Sequence, residues 1–114
     1  MSGIQMALLG AVSSVPLSVS ISPTSLANLR TGAGSLTSDP ATGTGAGGSG
    51  GYTYAWTYVS GDSYTINSAS SATTTFTTTL AAEQLKTGTY RCTVTDSASN
   101  TASSTIVVEL EATL

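Results

Sequence analysis

Tyr52-Thr53-Tyr54-Ala55-Trp56-Thr57-Tyr58-Val59 alternates aromatic side chains with small or branched ones along its whole length. Alternation with a period of two is the mark of a strand that lays one face on a core. It puts Tyr52, Tyr54, Trp56 and Tyr58 on one face and Thr53, Ala55, Thr57 and Val59 on the other. With Trp56 inward, Tyr54 and Tyr58 go into the core beside it. Ser60-Gly61-Asp62 is turn chemistry and ends the strand.

Towards the C-terminus, a short strand is expected at Tyr64 to Asn67. Thr73 to Leu80 is a Thr-rich strand with Phe76 and Leu80 inward. Ala81 to Lys86 reads as a single helical turn or corner. Thr89 to Thr95 is a strand with Tyr90, Cys92 and Val94 on one face. Asp96 to Asn100 is a hairpin turn. Thr101 to Leu110 is the last strand, with Ile106, Val108 and Leu110 inward and residues 112 to 114 as a tail. Towards the N-terminus, Leu17, Val19 and Ile21 alternate with serines until Ser22-Pro23 stops the strand. Residues 24 to 51 carry few large apolar groups. Short strands are expected there near 32 to 38 and 41 to 46, with a flexible turn from Gly47 to Gly51. Five to seven short strands divided by turn signals define an all-β protein, a two-sheet antiparallel sandwich.

Composition agrees. The 114 residues give room for one domain, and 19 Ser plus 21 Thr favour strands over helices. The net charge of −3 leaves only Arg30, Lys86 and Arg91 as cations. Three scattered cations make no basic patch, which excludes nucleic acid and anionic membrane surfaces as partners. The single cysteine, Cys92, excludes an intrachain disulfide. Without histidine, Cys92 has no base to make it a nucleophile, and Lys86 is the only lysine available to a serine. Asp39, Asp62 and Asp96 each sit in turn sequence, and no carboxylates stand at ligand spacing. The glycines from 43 to 51 lack the Lys-Ser/Thr ending of a phosphate loop. The expectation is a non-enzymatic domain with no cofactor and no metal.

Residues 1 to 15 read as an arm ahead of a domain over 16 to 114. Ile4, Met6, Leu8 and Leu9 make the arm apolar, which fits an anchor that docks on a neighbouring subunit. No Lys or Arg precedes the apolar run, unlike a signal peptide, and no stretch is long enough to insert in a membrane. Among the tyrosines, Tyr64 is expected to be an exposed contact.

Leu80-Ala-Ala-Glu-Gln-Leu-Lys-Thr-Gly-Thr-Tyr-Arg-Cys-Thr-Val-Thr-Asp96 resembles the E–F corner and strand F of immunoglobulin-like domains. Residues 52 to 57 resemble strand C of bacterial and phage Ig-like or PKD-like repeats. The resemblance covers residues 17 to 111 and implies an Ig-like sandwich of about seven strands. Its hallmarks would be Trp56, Leu80, Tyr90 and Cys92, with Tyr90 forming a tyrosine corner two residues before Cys92. The strand-B cysteine of that pattern is missing. Gly43 aligns with it, leaving Cys92 a buried thiol against Trp56. Met1 to Gly10 is similar to the start of small tailed-bacteriophage structural proteins. The resemblance implies a virion accessory protein, assembled in the host cytoplasm and anchored by its arm to the tail or tail tip. Its partners would be other tail or capsid subunits in a symmetric assembly, and host cell-surface glycans. The alternatives are a capsid decoration protein and a secreted adhesin or glycan-binding module.

Overall fold

The computed structural model describes residues 15–114. The arm residues Ile4, Met6, Leu8 and Leu9 lie outside them. The described chain forms β1 (Ser18–Ser22), β2 (Ser25–Thr31), β3 (Gly34–Thr37), β4 (Ala41–Ala46), β5 (Thr53–Gly61), β6 (Thr65–Ile66), β7 (Thr73–Thr74), β8 (Phe76–Leu80), β9 (Leu85–Thr95) and β10 (Thr101–Thr113).

These elements occupy seven strand positions, because three positions are each broken in two. In the first, β1 lies antiparallel on β4, while β2 lies parallel on β10 in the other sheet. The break falls at Pro23, which has no N–H to donate to a ladder. In the second and fifth, β3 pairs with β8 and β4 pairs with β7. The interruption between β3 and β4 spans Ser38-Asp39-Pro40. Ser38 repairs it: its N–H donates to the Phe76 carbonyl at 2.7 Å, and its hydroxyl accepts the Phe76 N–H at 3.0 Å. One layer therefore holds β1, the β3–β4 line, the β7–β8 line and β6. The other holds β2, β10, β9 and β5 in that order. This is the expected two-sheet Ig-like sandwich.

The core lies between the layers. Trp56, Tyr64, Phe76, Leu80, Tyr90 and Cys92 fill its middle, with Ile21, Leu26, Ile106, Val108, Leu110 and Ala112 around them. The segment after β6 closes one side. Trp56 donates its backbone N–H to the Ala69 carbonyl and its indole N–H to the Ser71 carbonyl, and Gly43 donates to the Ala72 carbonyl, each at 2.8 Å.

Four expectations need correction. Of the two readings of Ala81 to Lys86, Ala81–Gln84 forms the corner and no helical turn, and β9 already begins at Leu85. Leu85, Lys86 and Thr87 pair with Glu111, Leu110 and Glu109. A continuous ladder outweighs a single isolated helical turn, whose nucleation is unfavourable. Residues 112 to 114 are not all tail: Ala112 is fully buried and its N–H donates to the Gln84 carbonyl. Strand β2 went unexpected because Leu26 is its only buried side chain, so its sequence shows no alternation. Tyr58 is 49% exposed and not core. It sits on an edge strand where the register with β9 shifts between Tyr58 and Ser60, and such a bulge turns the strand away from regular packing.

Ser38→Ala removes the acceptor for the fully buried Phe76 N–H. The expected cost is about 1–3 kcal/mol. It would be read as a lower urea midpoint with an unchanged slope.

Candidate interaction surfaces

Trp56, Leu80, Tyr90 and Cys92 come together in the core, each at most 2% exposed. Trp56 and Cys92 are direct cross-strand neighbours on β5 and β9. Gly43, on β4, faces them from the other sheet. A Cβ built there would lie 2.6 Å from Cys92 Sγ and 3.7 Å from Trp56 Cζ2. The alignment of Gly43 opposite Cys92 therefore holds in space. Burial pushes the Cys92 thiol up in pKa, which keeps it protonated and poorly reactive. Gly43 and Gly45 are not loop residues. Both belong to β4, and Gly45 accepts the approach of Val94 and the Tyr52 ring.

Tyr90 is the hub of the aromatic cluster. Its ring lies 4.7 Å from Phe76, 5.6 Å from Tyr64 and 5.8 Å from Tyr58, centroid to centroid. The expected tyrosine corner would turn its hydroxyl back to the neighbouring turn. Instead the hydroxyl accepts the Tyr64 N–H and donates to the Asp62 carbonyl, tying down the loop between β5 and β6.

Tyr64 is not an exposed contact. It is 7% exposed, nearly parallel to Tyr90, and donates its hydroxyl to the Val108 carbonyl at 2.9 Å. Burial is the first cause that raises its pKa, followed by the nearby Asp62 carboxylate. Gly88 makes room for the Tyr64 ring: a Cβ there would press on Tyr90 Cε1 and Tyr64 Cε2.

At one end of the sandwich, Asp96 caps the β9–β10 hairpin. Its carboxylate accepts the N–H groups of Ser49, Ala98 and Asn100 and the Asn100 side-chain amide. The Ser49 N–H contributes most to holding this carboxyl below its ordinary pKa. Asp96 is thus a structural clamp on the β4–β5 loop. Beside it lies a depression between Pro16–Leu17, Gly48–Ser49 and Asn100–Thr101, with no charged side chain in its lining. Among the described residues, no group of three or more His, Cys, Asp or Glu could hold a metal ion.

The outsides of the two sheets differ. The layer containing β1 presents Ser18, Ser20, Ser22, Ser35, Thr37, Thr44 and Thr79, all exposed hydroxyls. Thr37–Thr77 and Thr42–Thr73 hydrogen-bond across strands at 2.8 and 2.9 Å. The layer containing β10 presents Leu29, Leu85 and Val107 at 62%, 55% and 41% exposure. Arg91, Glu109 and Glu111 are exposed beside them. Sequence reading missed this surface, because Leu29 lies on the unexpected β2 and Leu85 on the supposed helical turn.

Geometry and core thus define an immunoglobulin-like sandwich in which Cys92 stands without a cystine partner. The chain belongs to the K319L-like, PKD domain family, whose model matches residues 33–110. No curated protein matches the sequence. Among solved structures, the chain is similar in fold to a nucleoside hydrolase-related hypothetical protein from Saccharophagus degradans that is associated with carbohydrate metabolism. The TM-score is 0.54 at 12% identity, covering 87% of this chain and 26% of that one. The chain thus spans about a quarter of that protein's length, and the likeness is one of fold alone.

Asp96 sets an acid limit on the clamp. A carboxyl with a lowered folded pKa stabilises the fold above its unfolded pKa, and that contribution fades as pH falls through the folded value. Asp96→Asn should therefore lower the urea midpoint at about pH 6, and the gap to wild type should begin to shrink only below about pH 4. A gap that stays constant from about pH 6 down to about pH 2 would contradict the clamp.

Proposed function

We propose that this protein is a non-enzymatic virion structural accessory protein, an Ig-like module that its N-terminal arm anchors to the tail or tail tip. The observation that carries the non-enzymatic part is where the reactive side chains are used. Cys92 is buried against Trp56 and Gly43. Lys86 donates to Thr78 and to the Thr79 carbonyl, and Asp62 and Asp96 accept backbone N–H groups. Each serves the fold, which leaves surfaces as the means of function.

The placement in a virion is supported by the sequence of the arm. Met1 to Gly10 is similar to the start of tailed-phage structural proteins, and Ile4, Met6, Leu8 and Leu9 are costly to leave in water. Low charge suits a subunit held close to many copies of its neighbours. A glycan-binding role would call for exposed rings on which sugars stack. The described aromatic side chains are mostly turned inward, and only Tyr58 is left about half exposed.

Deleting residues 1 to 15 should abolish incorporation into purified particles while the domain still folds. Quantitative mass spectrometry of the same particles reads the intact N-terminal peptide and the number of copies. A copy number matching the symmetry of the tail supports the tail assignment, and one matching the capsid lattice moves the protein to the capsid. Normal incorporation of the truncated chain would overturn the anchor.

A further inference from the structure

The outward face of the β2–β10–β9–β5 sheet is ordered in rows fixed by the strand register. One row is Thr105–Arg91–Thr57, and the next is Ser25–Val107–Thr89–Ser60. Then come Ala27–Glu109–Thr87 and Leu29–Glu111–Leu85. The positive charge and the two negative charges thus lie on opposite sides of the Val107 row. The other two cations are tied into the domain: Arg30 donates to the Gly32 and Ser35 carbonyls, and Lys86 to Thr78 and Thr79. Arg91 is the exposed cation of this face.

We infer that this face binds a second copy of the same chain, face to face, around a two-fold axis that runs along the Val107–Thr89 row. The axis carries the Arg91 row of one copy onto the Glu109 row of the other. Successive rows are about 6.8 Å apart and neighbouring strands about 4.8 Å apart, so Arg91 opposes its partner's Thr87 with Glu109 one strand to the side. Stacked sheets lie about 10 Å apart, within reach of an arginine side chain. Each dimer gains this contact twice, as an isologous interface requires. Val107 meets its own copy on the axis. Leu85, exposed in the monomer, is covered by the partner's Thr93, and Leu29 lies at the rim beside the partner's Ser103, where β2 does not extend. The alternative axis, parallel to the strands, would set Arg91 against its own row and leave both acids unopposed.

A face of roughly 20 by 35 Å offers about 700 Å² per copy, near the lower end of specific interfaces. The expected dimer is therefore concentration-dependent. It forms in solution and needs neither a virion nor the arm, so it stands or falls separately from the proposed function.

The test is sedimentation velocity on the full chain over a range of protein concentrations. Wild type should dimerise. Arg91→Glu and Glu109→Arg should each be monomeric, because each places like charges across the axis. An equimolar mixture of the two variants should form a heterodimer, because the mixture restores both opposite-charge contacts. A monomeric wild type at millimolar concentration would overturn the inference. So would a dimer unaffected by either substitution, or a mixture that stays monomeric.

Discussion

The missing side chain at Gly43 decides how closely the two sheets can approach. Trp56 and Cys92 stand side by side on β5 and β9, and Gly43 lies over them from β4. In the immunoglobulin-like pattern a cystine would join the sheets here. In this chain the contact is made by packing alone. With only hydrogen at Gly43, the Cys92 sulfur comes so near the β4 backbone that a Cβ would collide with it. Gly45 repeats the arrangement one step along, under Val94 and Tyr52. Close packing of this kind is sensitive to a single added carbon. It replaces a covalent link with a shape constraint.

The rest of the domain follows from the same contact. Because Trp56 must lie under β4, its edge strand is drawn towards the segment after β6, which takes up both N–H groups of that residue. Tyr90, two residues before Cys92 and on the same face, reaches the other end of the core. There its hydroxyl fixes the β5–β6 loop and brings Tyr64 inside. The aromatic groups are thereby used to hold the two layers together. The outer faces differ, one covered by hydroxyls and the other carrying Leu29, Leu85, Val107 and separated charges.

Much of this was legible in the sequence. The alternation around Trp56 gave β5 and its inward face, and Tyr90, Cys92 and Val94 gave β9. The resemblance to the immunoglobulin-like pattern aligns Gly43 with the missing strand-B cysteine, which the geometry bears out. The failures share a physical origin. Tyr64 reads as exposed because Tyr54 and Tyr58 share the inward face of Trp56, but Gly88 on a distant strand makes room for its ring, and only the register brings the two together. Tyr58 has the right period for the core but lies beyond the last well-covered row, where a bulge opens the edge. Leu29 and Leu85 were unreadable as surface, since a lone leucine in a polar stretch gives no sign of which way its strand faces. The supposed helical turn at Ala81 to Lys86 had favourable local propensity, which a long pairing with β10 overrode.

The most direct test of the Gly43 constraint is a double-mutant cycle on Gly43→Ala and Cys92→Ala, with stability read from urea unfolding. If the Cys92 sulfur is what forbids a side chain at Gly43, Gly43→Ala will destabilise the wild type. It will cost much less, or nothing, once Cys92 is alanine, and the two changes will couple by about 0.5–3 kcal/mol. Strictly additive effects, or a Gly43→Ala protein as stable as the wild type, would contradict the account.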